Sequence, residues 1–434
     1  MEERFDVAIV GAGPAGISAA CVLADHGANV VVLERGEYPG SKNMFGGVLY
    51  GRHLQQIIPD YLDRNCPIER NIVESRISYL STKGGFGLAY RDASFFDGLR
   101  NNAFTVGRAK FDRWFAEQAR AKGALIVSAT VVTDLLRDDA GRVIGVTTDR
   151  EDGDLRANVV LLADGVNSPL AAKTGFRSDV KPENVALAVK EVIALPEEVI
   201  DERFGVSSGD GVTNEIMGNV TLGMNGIAFL YTNRSSLSIG IGANLADFSR
   251  EKIRPYEMLE NFKLHPMIAP LIKGGKPQEY LAHWLPEGGY DTMPKLFGDG
   301  FLIAGDSAMM FNALHREGSN LAMTSGKLAA ETILEAIKKN DFSSRTLQDY
   351  SRKLKDSYVL KDLMKYRKFP GFLETNKEIF TTLPQSICGA AREILSVDGL
   401  SKKTRQGLAW KAIQEQVGLF RLLRLIFDGW RSIR

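Results

Sequence analysis

Cysteine is scarce in this chain: only Cys21, Cys66 and Cys388 occur among 434 residues, far apart and without CxxC spacing. They support neither a disulfide framework nor a self-contained Fe–S or zinc site, so no metal site is expected, and a reduced, cytosol-facing placement follows. Long apolar runs are missing too, none approaching the ~18 residues of a spanning helix. Excess charge of one sign is also lacking: 54 Lys+Arg stand against 53 Asp+Glu, a formal net charge of +1 that argues against nucleic-acid binding. There is no low-complexity tract and no repeat. The first strand begins almost at the N-terminus, which leaves no room for a signal peptide ahead of it.

What is present is a 44% hydrophobic content, enough for a large core split into two or three domains. Within it stand three separated glycine-rich segments. The first, Val7-Ala8-Ile9-Val10-Gly11-Ala12-Gly13-Pro14-Ala15-Gly16, follows an apolar β-branched run and opens a helix-like stretch from Ile17 to His26. A second strand, Asn29 to Leu33, ends in Glu34. That is the βαβ dinucleotide fingerprint: Gly11 for the tight turn, Gly13 for approach of a pyrophosphate, Gly16 for close helix packing, and Glu34 for the ribose hydroxyls.

The other segments, Leu161-Leu162-Ala163-Asp164-Gly165 and Gly300-Phe301-Leu302-Ile303-Ala304-Gly305-Asp306, select FAD among the dinucleotides. FAD spans a longer groove than a nicotinamide cofactor and needs a late contact to its ribityl and pyrophosphate portion. Asp306 fits that role, standing between a strand and a helix-like run from Ser319 to Ile337 whose N-terminus would face the flavin pyrimidine ring. Asp164 ends an apolar strand in the same way, although an Asp-Gly turn also explains it.

The expected fold is α/β, a discontinuous Rossmann-like βαβ FAD-binding domain interrupted by an antiparallel sheet and followed by a helical, basic C-terminal region. Boundaries fall at 1–75, 104–178 and 296–345 for the FAD domain, 76–103 and 179–295 for the insert, and 346–434 for the C-terminal region. Alternating runs at Asn184 to Ile193, Gly226 to Tyr231 and Ser236 to Gly242 supply the inserted strands.

Several stretches carry a resemblance: Gly40 to Tyr50 (GSKNMFGGVLY), Lys190-Glu191-Val192, Phe229-Leu230-Tyr231, Pro286-Glu287-Gly288-Gly289-Tyr290 with Pro294-Lys295-Leu296, and Ser325 to Glu331. On these the chain resembles the electron-transfer flavoprotein:quinone oxidoreductase family, most of all its bacterial FixC branch, from residue 1 into the C-terminal region. The resemblance implies FAD diphosphate and adenosine contacts at Gly11, Gly13, Pro14, Ala15, Gly16, Glu34 and Arg35. It implies a loop beside the flavin at Lys42, Asn43, Gly46 and Gly47, with Arg108 near the phosphates and Val132 at the adenine. Ala163, Asp164 and Gly165 join the site, as do Gly305 and Asp306, with Gly318, Ser319 and Asn320 facing flavin N1 and O2.

It also implies a catalytic end. Gly288 and Gly289 lie in a turn that lines the ring-binding end of a quinone pocket, unless that turn is a plain hairpin. Phe229 and Tyr231 either wall the pocket or are core. Arg316 either stabilises the negative charge of a reduced flavin or points at Glu317 or solvent.

Eukaryotic-type relatives carry a cysteine-rich [4Fe–4S] domain that three scattered cysteines cannot supply. The resemblance therefore implies a separate ferredoxin-like [4Fe–4S] subunit, an electron-transfer flavoprotein α/β heterodimer as donor, and ubiquinone or menaquinone as acceptor, within a Fix/Etf-type complex that bifurcates electrons at the heterodimer. Competing readings are a geranylgeranyl-reductase-type prenyl lipid reductase and a non-catalytic FAD relay subunit. From Ser401 to Arg434, Lys402, Lys403, Arg405, Lys411, Arg421, Arg424, Arg431 and Arg434 oppose only Glu415 and Asp428. On a helix, Leu419, Leu422, Leu423, Ile426 and Trp430 share one face, which would meet an anionic membrane surface, a partner, or the body of the protein. The expected location is cytoplasmic, peripheral on the inner face of the cytoplasmic membrane.

Overall fold

The computed structural model describes residues 4–43, 47–92, 102–173 and 175–434. From the N-terminus the chain runs through β1 (Arg4–Val10), α1 (Pro14–Asp25), β2 (Val30–Leu33), β3 (Ile68–Leu80), β4 (Gly85–Arg91), α2 (Arg108–Ala121) and β5 (Leu125–Val127). Next come β6 (Val132–Arg137), β7 (Val143–Thr148), β8 (Asp154–Leu162), β9 (Val185–Ala194), β10 (Asp210–Gly218), β11 (Gly226–Thr232) and β12 (Ser236–Asn244). Then follow α3 (Pro255–Lys263), β13 (Lys276–Pro286), β14 (Phe301–Ile303), α4 (Ser319–Lys339), α5 (Thr382–Leu395), α6 (Lys402–Gln416) and α7 (Leu419–Ile433).

The chain divides into two compact units, and the first comprises Met1–Ile68, Asp97–Asn184 and Trp284–Arg367. Its sheet orders β5-β2-β1-β8-β14 with every neighbouring pair parallel. Parallel strands are covered on both faces, so they read as unbroken apolar runs. Val7–Val10, Val30–Leu33 and Val159–Leu162 are such runs, and all are buried. β6 and β7 extend β8 as an antiparallel meander. α1 packs along both α2 and α4, burying Ile17, Leu23, Phe115, Ala329 and Ile333. The short helices between Ser344 and Lys365 belong to this unit.

The second unit comprises Glu69–Phe96, Val185–His283 and Lys368–Arg434. β9-β12-β11-β10 form an antiparallel sheet that β3 joins in parallel beside β10, with β4 antiparallel on β3. The strands alternate: Val189, Ile239, Ile241, Leu230 and Ile216 share one core with Met258, Leu259 and Phe262 of α3. α5 and α6 pack as a pair, and α7 lies against the helix Phe369–Thr375. No described helix is long and apolar enough to cross a membrane.

Candidate flavin site and family

The three glycine segments meet in space. Gly11 turns the chain at φ +102°, and a Cβ there would stand 2.4 Å from the Ala163 carbonyl oxygen, so the first turn abuts the end of β8. A Cβ on Gly16 would stand 2.0 Å from the Gly11 carbonyl oxygen, which fixes glycine at that position too. Gly305, at φ +63°, sits against the Ala15 side chain. Gly13 differs, because the space beside it is open. Pro14 occupies the first turn of α1, and no side chain caps the helix N-terminus, the arrangement that an anion-binding helix end requires.

At the far end of this turn Glu34 accepts hydrogen bonds from the backbone N–H of Ala12 at 3.0 Å and of Gly36 at 2.7 Å. Backbone bonds from Ala129 to Gly36 and from Thr130 to Glu34 tie this corner to the segment entering β6, where Val132 is buried. Arg35 and Lys42 are exposed, and Gly47 is buried with its carbonyl accepting from Val106 N–H. Gly46 lies outside the described residues. Arg108 is buried and grips Asp112 through two 3.0 Å hydrogen bonds, while Asn43 donates to the same carboxylate at 3.4 Å. Burial pushes the Asp112 carboxyl up and Arg108 opposes that shift.

Asp306 is pushed up to about 6 by burial, with the charge of Arg108 acting in the opposite direction. One oxygen of Asp164 is taken by the protein: its Oδ1 accepts from Ser168 at 2.8 Å and from Ser307 at 2.9 Å, and Ser307 in turn accepts from Gly165 N–H, while Oδ2 is buried without a protein hydrogen bond. Burial raises this carboxyl also. Arg177, buried nearby, donates to the carbonyls of Ser307 and Asn167. Thus Ala163-Asp164-Gly165 and Gly305-Asp306 are one latched corner, joined through Ser307.

The α4 N-terminus at Gly318 and Ser319 has no side-chain cap either. Asn320 donates to Glu317 at 3.1 Å and leaves its Oδ1 buried without a protein partner. Arg316 does not reach Glu317: its Nη1 lies 3.3 Å from Oε1 of Glu287. Gly289, at φ +63°, turns the chain after Glu287, and its carbonyl is already taken by Thr292 through both N–H and hydroxyl. A Cβ on Gly288 would strike Thr292 at 2.4 Å. The segment leads into the short 3-10 helix Tyr290–Thr292 rather than a second strand of a hairpin. In the other unit, Phe229 and Tyr231 stack at 5.6 Å, and the Tyr231 hydroxyl pairs with Lys190 Nζ at 2.7 Å.

These features fit FAD: an open cradle at Gly13, two uncapped helix N-termini, and unpaired buried polar atoms at the second of them. Profiles described as FAD dependent oxidoreductase match residues 6–178 and 94–331, and one described as ETF-QO/FixC family C-terminal domain matches residues 369–434. Protein FixC of Azotobacter vinelandii is 46% identical over 434 residues, covering 100% of both chains. Protein FixC of Escherichia coli (strain K12) is 41% identical over 435 residues, covering 100% of this chain and 99% of its own. The chain belongs to the FixC family. This FixC-family chain is an FAD-dependent oxidoreductase with the glycine-rich α/β fold that its sequence indicates. Among solved structures, a geranylgeranyl bacteriochlorophyll reductase-like protein from Thermoplasma acidophilum superposes with a TM-score of 0.71 at 20% identity, covering 99% of this chain and 98% of its own. A flavoprotein/dehydrogenase from Cytophaga hutchinsonii gives 0.64 at 15%, covering 99% and 98%. Both share the fold.

Sequence reasoning passed over Asp112, Ser307, Arg177 and the side chain of Glu287. Only the first left a sequence signal, because Arg108 and Asp112 stand at i and i+4 on α2 and so face each other. The others join segments far apart in the chain. Among the described residues, no cluster of three or more His, Cys, Asp or Glu is arranged to hold a metal.

Proposed function

We propose that this FixC-family chain takes electrons from an electron-transfer flavoprotein heterodimer and delivers them to a membrane quinone, ubiquinone or menaquinone. A ferredoxin-like [4Fe–4S] subunit completes the complex, which bifurcates electrons at the heterodimer and leaves this chain the high-potential branch. Bound FAD supplies the exchange of one or two electrons. The residues do the rest: the α1 N-terminus with Gly11, Gly13 and Gly16 holds the pyrophosphate, Glu34 the ribose, and Asp306 the ribityl chain. The α4 N-terminus at Gly318–Asn320 with Arg316 holds negative charge at the ring, and Gly288-Gly289 let the quinone approach.

The observation that carries this reading is the placement of apolar surface within the ETF-QO/FixC C-terminal domain. Sequence periodicity predicts that α7 is amphipathic, and the apolar stripe faces outward: Phe420 is 89% exposed, Ile426 62% and Phe427 54%. Leu425 and Ser432 are the buried residues of the helix, with Arg421 anchored to Glu378 at 2.6 Å. Arg424, Arg431 and Arg434 flank the stripe. An apolar row bordered by cations suits an anionic bilayer, the phase in which quinones dissolve. The test is reconstitution: the chain with its heterodimer and ferredoxin-like partner, NADH, and vesicles of acidic lipid containing ubiquinone or menaquinone. NADH-dependent quinol formation is expected. Turnover of a polyprenyl lipid without the heterodimer would favour the prenyl reductase instead.

A further inference from the structure

Glu287 and Arg316 form an ion pair unlike the other arginine–carboxylate contact of the same unit's site. Arg108 and Asp112 meet through two hydrogen bonds of 3.0 Å, the geometry of a fixed structural fork. Arg316 offers Glu287 a single Nη1 contact at 3.3 Å, and its Nε is buried without a partner. Their side chains are nevertheless only 20% and 16% accessible, so the pair is looser than its burial would favour. The backbone around it is held firmly. Glu287 and Gly288 both donate their N–H to the Asn184 carbonyl, and Arg316 is locked at φ +56° between the mutual backbone hydrogen bonds of Asn312 and Glu317. Two rigid supports thus present a weakly bonded carboxylate and guanidinium to each other.

We propose that Glu287 takes up a proton when the cofactor is reduced, leaving Arg316 as the positive charge that balances the added electrons. This rests on the reading above that the Glu287–Tyr290 turn lines the ring end of the site. In the balanced reaction two electrons come from the flavoprotein donor and two protons from water, and the quinone leaves as quinol with both electrons and both protons. The Glu287 carboxylate holds one of those protons in the interval, going from charge −1 to 0. A one-point pair releases its partner at low cost, whereas a fork would not.

The charged surroundings leave this role to Glu287. Arg316 is the charge that acts on its carboxyl, and burial opposes ionisation by more than Arg316 favours it. His315 is exposed, its ring edge-on to Tyr366 at 5.1 Å, and Glu317 is engaged by Asn320. Glu183 and Asp291, which flank the supports in sequence, are exposed.

The experiment is the flavin midpoint potential of the FAD-loaded full chain, followed spectroelectrochemically from about pH 5 to 9. The potential of the wild type should fall more steeply with pH than that of Glu287→Gln, with Glu287→Asp restoring the slope; should Glu287→Gln fold poorly, the doubly neutral Glu287→Gln/Arg316→Gln takes its place and should show the same shallow slope. Reduced-minus-oxidised infrared spectra should show a protonated carboxyl band that Glu287→Gln lacks. Equal slopes and an unchanged carboxyl band would overturn the proposal. Because neither readout uses quinone, failure here is distinct from failure to reduce quinone.

Discussion

The carbonyl oxygen of Ala15 lies 2.0 Å from the position a Cβ would take on Gly326, so α4 touches the first turn of α1 backbone to backbone. This contact sets where both helix N-termini point. Along α4, Ser319 stands about 10 Å from it, which separates the two anion-friendly helix ends along the length of a dinucleotide. Gly326→Ala should force the helices apart, lowering stability by roughly 1–3 kcal/mol and weakening FAD retention. Gly407→Ala, in α6 with open space around it, should instead stabilise by roughly 0.5–1 kcal/mol. Thermal denaturation of both variants, with flavin content measured in parallel, tests the pair.

Gly13 separates cofactor binding from folding. Its φ of −78° suits any residue and no protein atom lies within 4 Å of its Cβ position, so Gly13→Ala should leave the flavin-free chain as stable as the parent. The added methyl occupies the space proposed for the pyrophosphate. FAD affinity, read by fluorescence titration of the flavin-free chain, should fall at least tenfold, and an unchanged affinity would move the pyrophosphate elsewhere.

Asp306 makes the flavin-free fold sensitive to pH. Its carboxyl is raised from 3.8 to about 6 in the folded chain by burial. Below the unfolded value both states hold the proton. As pH rises from about 4 to 6 the unfolded chain ionises first, so stability falls across that window by up to ~3 kcal/mol and stays lower above it. Asp306→Asn should therefore raise the Tm of the flavin-free chain at pH 7, leave it unchanged at pH 4, and weaken FAD binding.

The two sides of α7 should respond oppositely. Leu425 is 5% exposed, and Leu425→Ala should cost about 2–4 kcal/mol. Phe427→Asp on the outer stripe should change stability by less than about 0.5 kcal/mol yet abolish binding to acidic-lipid vesicles in flotation assays. Retained binding would place the membrane contact on another surface.

Much of this was legible in the residues. The apolar runs before Gly11, Asp164 and Asp306 each had to be buried parallel strands, and glycines at fixed offsets had to be turns. Their convergence follows, because a single sheet brings strand ends together. Periodicity revealed that α7 is amphipathic, but it cannot say which face packs, since that depends on what Phe372 and Glu378 offer it. Arg316 was equally ambiguous: i,i+1 neighbours such as Glu317 look like partners in sequence, yet local backbone geometry turned the guanidinium to Glu287 in a distant segment. The cofactor role expected of Asp164 has an addition that sequence cannot show, since its Oδ1 also latches Ser168 and Ser307.

The central claim is that electrons held on this chain's FAD pass to quinone. The direct measurement is anaerobic stopped-flow: the purified, FAD-loaded chain is reduced with one equivalent of dithionite and mixed with a short-chain ubiquinone or menaquinone analogue. The account predicts recovery of the oxidised flavin band with formation of one quinol per flavin. A reduced flavin that persists in excess quinone would contradict it.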